Sequence, residues 1–164
     1  MEQVLVYIND VPQCDVGAPT PVIYSDESYL YLFYYLSLSD ENWDGTYVKI
    51  RNGNVDEGVS CIKFEGCIQY KFGDPNDEAI EGHPLYKYGL SAYAFFEVMS
   101  SEWINTLMEM NRVHPYHKDE HFSEYKHFIY FFHDNCFEVV CKSYTYDIMA
   151  TNIKEAVINI IRNT

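Results

Sequence analysis

The chain has 164 residues, a length typical of one domain with its own hydrophobic core. Its 25 acidic and 11 basic residues give a formal net charge of −14, so its surface repels phosphate backbones and nucleic-acid binding is not expected. No run approaches the roughly 18 apolar residues of a membrane span, and the N-terminus lacks the basic start of a signal peptide. Five cysteines without a C-x-x-C pair favour free thiols, and together these features predict a cytoplasmic protein.

The N-terminal part of the chain predicts mainly β-strands, which its many aromatic residues favour. A short apolar run at residues 4–8 predicts the first strand. Residues 29–38 are apolar or aromatic at nearly every position, which is typical of a central strand covered on both faces. Residues 47–51 predict another strand, and residues 59–72 predict a long strand or a hairpin in which Gly66 marks a bend.

A long irregular segment follows at residues 73–89, where glycine, proline and acidic residues replace the alternating pattern. Loops of this length are usually functional or mobile, although tertiary packing can order them without giving them a role. A strand pattern resumes at residues 93–99.

Two helices are then indicated. Ser100 or Ser101 caps a helix that ends near Asn111, and Thr151 or Asn152 caps a final amphipathic helix. The elements together predict a single α+β domain over residues 1–164, with a mostly antiparallel sheet and two or three helices packed on one face.

The sequence predicts a β-hairpin over residues 127–144, because two apolar runs are separated only by an Asp-Asn dipeptide at 134–135 that suits a tight turn. With that turn, His133 lies opposite Cys136, and Glu138 lies diagonally from His133. The other face of the hairpin is wholly apolar and is predicted to be core. The pairs predicted on it are Phe132 with Phe137, Tyr130 with Val139, and Phe128 with Cys141.

The hairpin and the 73–89 segment supply the candidate site. His83, His133 and Glu138 are the candidate catalytic residues, because histidine exchanges protons near neutral pH and a carboxylate can orient it. The candidate binding residues are Asn76, Asp77, Glu78, His114, Asp134 and Cys136. The alternatives are structural: a histidine at a hairpin end commonly bonds the turn backbone, and Cys136 is more often a small buried residue than a nucleophile.

A metal site is considered and not predicted. His114, His117 and His121 have a spacing that would place two of them on one helical face. The segment is not an H-E-x-x-H motif, however, and no further ligand is indicated nearby, so we interpret it as a solvated connection. No metal and no cofactor are expected.

Several motifs between about residues 64 and 144 resemble a family of uncharacterised bacterial proteins. The motifs are Phe72-Gly73-x-Pro75-Asn76-Asp77-Glu78-Ala79, Gly82-His83-Pro84-Leu85, Phe96-Glu97-Val98, Ser101-x-Trp103-Ile104, Asn111-x-x-His114-Pro115, and His127-Phe-Ile-x-Phe-x-His133-Asp134-x-x-Phe137-Glu138. The chain departs from the family pattern at Asn135-Cys136, where Ser-Thr is expected. The family has no established activity, so the resemblance implies positions of interest rather than a reaction.

Two functions remain open from the sequence, and a purely structural subunit is a third possibility. The first is a non-enzymatic, cytosolic bacterial protein whose acidic surface engages a basic protein partner, as small immunity or inhibitor proteins do. The second is an enzyme or a small-ligand sensor with a pocket around His83 and His133. The second function requires His83 to lie within a few ångströms of His133 or Glu138.

Overall fold

The computed structural model describes residues 2–37 and 58–163. The strands in these residues are β1 (Val4–Tyr7), β2 (Val22–Ser25), β3 (Leu30–Tyr35), β4 (Val59–Glu65), β5 (Gln69–Gly73), β6 (Ala94–Met99), β7 (Lys126–Phe131), β8 (Cys136–Cys141) and β9 (Ser143–Met149). The α-helices are α1 (Glu102–Asn111) and α2 (Ile153–Asn163), and short 3-10 helices span Asp77–Gly82, Tyr86–Tyr88 and Asp119–Glu124. The strand predicted at residues 47–51 lies outside the described residues.

The strands form two antiparallel sheets. One has five strands in the order β1-β6-β7-β8-β5, and the other has four in the order β2-β3-β4-β9. The predicted α+β class and the antiparallel pairing are confirmed. The prediction of a central strand within residues 29–38 is confirmed for Leu30–Tyr35, because β3 lies between β2 and β4 and its residues are almost all buried. Residue 38 lies outside the described residues.

The chain changes sheet at Gly66, where the sequence indicates a bend. Gly66 has a φ of 61°, a left-handed conformation that glycine adopts without strain. The bend separates β4 from β5, which belong to different sheets and do not pair with each other. Residues 59–72 are therefore two strands that link the layers rather than one long strand or one hairpin.

The main hydrophobic core lies between the two sheets. Rings of the four-stranded sheet pack on rings of the five-stranded sheet: Tyr34 on Tyr130 with centroids 5.0 Å apart, and Phe64 on Phe137 at 5.3 Å. The Tyr130 hydroxyl also accepts a hydrogen bond from the backbone N–H of Cys14 at 3.0 Å. Aromatic pairs of this kind add stability beyond their buried area, which accounts for the high tyrosine and phenylalanine content.

The helices are divided between the two outer faces. Helix α2 places Ile153 and Ala156 on the outer face of the four-stranded sheet, next to Tyr31 and Phe33. Helix α1 contacts β7 of the other sheet. The 73–92 segment covers the same face as α1, where Leu85 and Leu90 pack on the sheet. The layers are therefore, in order, helix α2, the four-stranded sheet, the five-stranded sheet, and an outer layer formed by α1 and the 73–92 segment.

The β7–β8 hairpin forms as predicted, but its register differs from the prediction by two residues. Phe131 pairs with Cys136 and Ile129 pairs with Glu138. The turn lies one residue earlier than predicted: the N–H of Phe132 donates to the carbonyl of Asn135 at 2.8 Å, which leaves His133 and Asp134 as the two loop residues. A shift of two keeps every side chain on its predicted face, so the apolar face is core as expected. The pairing of His133 with Cys136 and the diagonal contact of His133 with Glu138 are wrong.

Candidate functional site

Glu138 is the centre of a polar cluster on the outer face of the five-stranded sheet. It lies on β8 and is only 8% exposed. Its Oε2 atom accepts a hydrogen bond from Nε2 of His127, on β7, at 2.9 Å. Its Oε1 atom lies 3.3 Å from Nζ of Lys71, on β5, and 3.8 Å from Nε2 of His83. The structure therefore brings His83 to Glu138, at the short range that the second function requires.

Burial and hydrogen bonding together determine the protonation states of His127 and Glu138. Burial lowers the pKa of His127, and the Glu138 carboxylate only partly offsets this effect, so the imidazole is neutral at pH 7. Burial alone would raise the pKa of Glu138, but the N–H groups of His127 and His83 and the charge of Lys71 outweigh it and hold the pKa below its ordinary value. The cluster is therefore an anion surrounded by donors.

The same cluster contains a serine in a geometry that resembles a hydrolase triad. The hydroxyl of Ser101 lies 2.9 Å from Nδ1 of His127, whose other nitrogen bonds Glu138. Ser101 is only 4% exposed, however, and its oxygen accepts the N–H of Ile104 as the N-cap of α1. A substrate has no access to an oxygen that is buried and used as a cap. The Ser-His-Glu chain instead anchors α1 to the sheet.

A second polar cluster, at the end of the hairpin, is open to solvent. His133 donates from Nδ1 to Oδ2 of Asp77 at 2.8 Å, and the Tyr93 hydroxyl donates to the same oxygen. The backbone is tied as well, because the N–H of Asp77 donates to the carbonyl of His133 at 2.9 Å. The His133 side chain is 41% exposed, and its Nε2 makes no hydrogen bond to the described part of the chain. The cluster therefore presents an oriented imidazole nitrogen to water.

Electrostatics keep this imidazole basic. The hydrogen bond to Asp77 raises the pKa of His133, and the charges of Asp77, Asp134 and Glu78 add to the effect. The hydroxyl of Tyr93 and the imidazole of His133 together lower the pKa of Asp77. Burial, reinforced by Asp77, raises the pKa of Tyr93 to about 12, so the phenol stays protonated as a donor.

We expect Asp77→Asn to lower the pKa of His133. The amide removes the anion that stabilises the imidazolium form, so the ring loses its proton at a lower pH. A titration of the imidazole proton signals by NMR measures the change directly. Glu78→Gln removes an equal charge that acts on His133 only through space, and its effect is expected to be smaller. A His133 pKa that does not fall in Asp77→Asn contradicts this account of the cluster.

The other residues predicted for the site have three different roles: one caps a 3-10 helix, three are exposed on the surface, and one is buried in the core. Asn76 caps the 3-10 helix at Asp77–Gly82 by accepting the N–H of Ala79. Glu78 and Asp134 are exposed beside His133. Cys136 is buried, and burial raises the pKa of its thiol, which makes it a poor nucleophile. His114 is exposed and accepts the N–H of Tyr116 in its own turn.

The histidines after α1 are held by local hydrogen bonds. His117 lies 2.8 Å from the amide oxygen of Asn111 and 2.7 Å from a carboxylate oxygen of Asp119. Within residues 2–37 and 58–163, no group of three or more histidine, cysteine or acidic side chains is placed to hold a metal ion.

Sequence reasoning did not select Lys71, His127 or Tyr93 for the site. His127 had a usable signal, because it shares the strand parity of the buried residues Ile129 and Phe131 and a buried histidine needs partners. Lys71 and Tyr93 had no comparable signal in the sequence. Their positions in the two clusters depend on the order of the strands in the sheet and on the course of the chain after β5.

Comparison with family models, with curated proteins and with solved structures finds no match to this chain. The resemblance to a bacterial family therefore stays a prediction. In the described residues, no helix combines the length and apolar character needed to cross a membrane.

Proposed function

We propose that this chain is a cytosolic bacterial binding protein of the immunity or inhibitor type, which docks a basic protein through an acidic surface. The proposal rests on four carboxylates at one end of the five-stranded sheet, which we call the acidic corner. Asp74 directly follows β5, Glu78 and Glu81 lie in the 3-10 helix Asp77–Gly82, and Asp134 lies in the hairpin turn. The N–H of Asp77 joins this helix to the turn by donating to the carbonyl of His133. All four carboxylates are exposed. None of them forms an ion pair with a lysine or arginine among the residues that the structure describes.

The acidic corner has the composition of a docking site. Carboxylates that form no ion pair with a described lysine or arginine, on a chain of net charge −14, attract a basic partner over long range and raise its rate of association. Tyr86 lies in the same segment and is 41% exposed. Tyrosine is enriched among the residues that dominate binding energy, so Tyr86 is the natural anchor beside the carboxylates.

One observation favours a second candidate, an acid–base or ligand-sensing role for His133. Its Nδ1 is held by Asp77 while Nε2 faces solvent, and this arrangement is the one that a general base requires. The surrounding charge of Glu78 and Asp134 suits a cationic rather than a phosphorylated small molecule.

The test is gentle capture of the tagged protein from the cytoplasm of its own source, followed by native mass spectrometry. We expect one companion protein with a basic isoelectric point, at 1:1 stoichiometry, and about tenfold less recovery when salt is raised from about 50 to about 300 mM. A variant with Asp74→Asn, Glu78→Gln and Asp134→Asn is expected to lose the companion at low salt.

The control variant carries Glu120→Gln, Asp147→Asn and Glu155→Gln, which remove three exposed carboxylates from other elements. It should retain the companion, because the total charge change is the same and only the location differs. An acidic companion, or recovery that is insensitive to salt and to the corner variant, contradicts the proposal. A bound small molecule that is lost in His133→Ala favours the second candidate.

A further inference from the structure

The outer strand of the five-stranded sheet carries an apolar strip that nothing in the described residues covers. Among the described strands β5 pairs with β8 alone, so its other edge presents backbone N–H and C=O groups that no described strand pairs with. Ile68, which directly precedes β5, and Tyr70 and Phe72 within it occupy alternate positions and are 42%, 39% and 41% exposed. Side chains at alternate positions point to one face, so the three form a continuous strip.

The strip begins at a groove between the two sheets. A cavity of about 390 Å3 lies between the β2–β3 turn at residues 25–30 and the bend at residues 66–70. Its lining includes the rings of Tyr29 and Tyr70, with Asp26 and Glu27 in the turn. This volume is within the range of small ligand sites, roughly 300–1,000 Å3.

The groove has the chemistry of a cation site. Hydrogen bonds from the N–H groups of Ser28 and Tyr29 lower the pKa of Asp26, which keeps its charge. Glu27 is exposed and forms no ion pair with a described residue. The ring of Tyr29 already has the ammonium of Lys63 5.3 Å from its centroid. Aromatic faces combined with carboxylates bind ammonium and guanidinium groups.

We propose that an extended cationic segment of a basic partner protein pairs with the free edge of β5 and places a lysine or arginine side chain in the groove between Glu27 and Tyr70. This inference rests on the proposed function and names its docking surface. Strand addition supplies main-chain hydrogen bonds, and the alternate side chains of the segment meet the apolar strip. The strip runs from the groove to Gly73, which directly precedes Asp74, so the docking surface is continuous with the acidic corner.

Charge argues for a basic occupant over a second copy of this chain. Each copy carries a net charge of −14, and pairing two β5 edges would bring Asp26, Glu27 and Asp74 of one copy towards those of the other. A basic segment meets the same groups with opposite charge, which gives both attraction and register.

The test uses a synthetic twelve-residue peptide of alternating arginine and valine, labelled for fluorescence anisotropy, with the full chain. We expect Tyr70→Ala to weaken binding about tenfold and Glu27→Gln about fivefold, because each removes one wall of the groove. The matched controls are Tyr116→Ala, an exposed tyrosine after α1, and Glu109→Gln, a carboxylate on α1. Both should change the affinity less than twofold. A peptide with proline in place of valine cannot add a strand and should bind at least tenfold more weakly.

Equal affinity across the four variants would overturn the inference, since it would mean diffuse charge attraction. Self-association that Tyr70→Ala abolishes would also overturn it, by assigning the edge to a second copy. These failures are distinct from failure of the proposed function. A captured basic companion that depends on the acidic corner but not on Tyr70 or Glu27 keeps that function and rejects only this docking surface. Melting temperatures of the variants within about 2 °C of the wild type exclude unfolding as the cause.

Discussion

Glu138→Ala is expected to destabilise the protein by about 3 kcal/mol. The variant leaves the Nε2–H group of His127 without an acceptor inside the sheet, where the side chain is only 3% exposed. It also removes the partner of His83, and the lost side-chain volume leaves a void. Lys71 contributes little to the cost, because its side chain is 54% exposed and can be solvated. Urea unfolding followed by tryptophan fluorescence measures the change.

Two further variants separate the hydrogen bond from the charge. Glu138→Gln keeps the side-chain volume and a carbonyl acceptor for His127, so we expect a loss of only about 1–2 kcal/mol. The double variant His127→Leu and Glu138→Leu replaces the pair by apolar groups and should cost less than Glu138→Ala alone. A free energy of unfolding for Glu138→Ala within about 0.5 kcal/mol of the wild type would show that the cluster does not hold the sheet face together.

The same cluster predicts loss of stability on acidification. Since the folded pKa of Glu138 is lowered, its contribution is complete above its ordinary pKa of about 4.5 and is lost as the pH falls towards the folded value. The folded pKa of His127 is also lowered, so its contribution is lost as the pH falls below about 6.5. Glu138→Gln should therefore flatten the decline of stability between about pH 5 and about pH 3, while the step near pH 6 remains. An unchanged slope below pH 5 would exclude Glu138 as the source.

The hairpin shows what the sequence could and could not predict. Strand alternation predicted which side chains of β7 and β8 face the core, and Phe128, Tyr130 and Phe132 all lie there. Alternation has a period of two, so a shift of the register by two residues leaves the same apolar pattern on each face. Only a specific polar contact distinguishes the two registers. That contact is His127 with Glu138, and it forms because the two turn residues are His133 and Asp134 rather than Asp134 and Asn135.

The second sheet and the contact between His83 and Glu138 could not be predicted from the sequence, for a different reason. Strands in one sheet and strands in two stacked sheets have the same alternating pattern, and only Gly66 hinted at the crossing. The 73–92 segment has no periodic pattern, and a few scattered apolar side chains such as Leu85 and Leu90 hold it on the sheet. Such contacts depend on tertiary packing, which a local pattern does not encode.

Phe131→Ala should have the second large effect, a loss of about 3–5 kcal/mol together with release of the 73–92 segment. Phe131 is fully buried on the outer face of β7, in the same cluster as Leu85 and Leu90. The ring of His83 meets it edge-on, with centroids 6.2 Å apart. Because this segment is attached by few apolar contacts, removal of the central ring should let it open before the sheets unfold.

Hydrogen exchange locates this opening, and Phe137→Ala is the matched control. Phe137 is equally buried on the neighbouring strand, but it faces the core between the sheets. Both variants should lose similar stability, whereas only Phe131→Ala should speed exchange of the amides of His83 and Tyr86, which close the 3-10 turns. Unchanged protection of these amides would show that the segment is held mainly by the polar contacts of His83 and Asp77. In that case Glu138→Ala and Asp77→Asn, rather than Phe131→Ala, should open it.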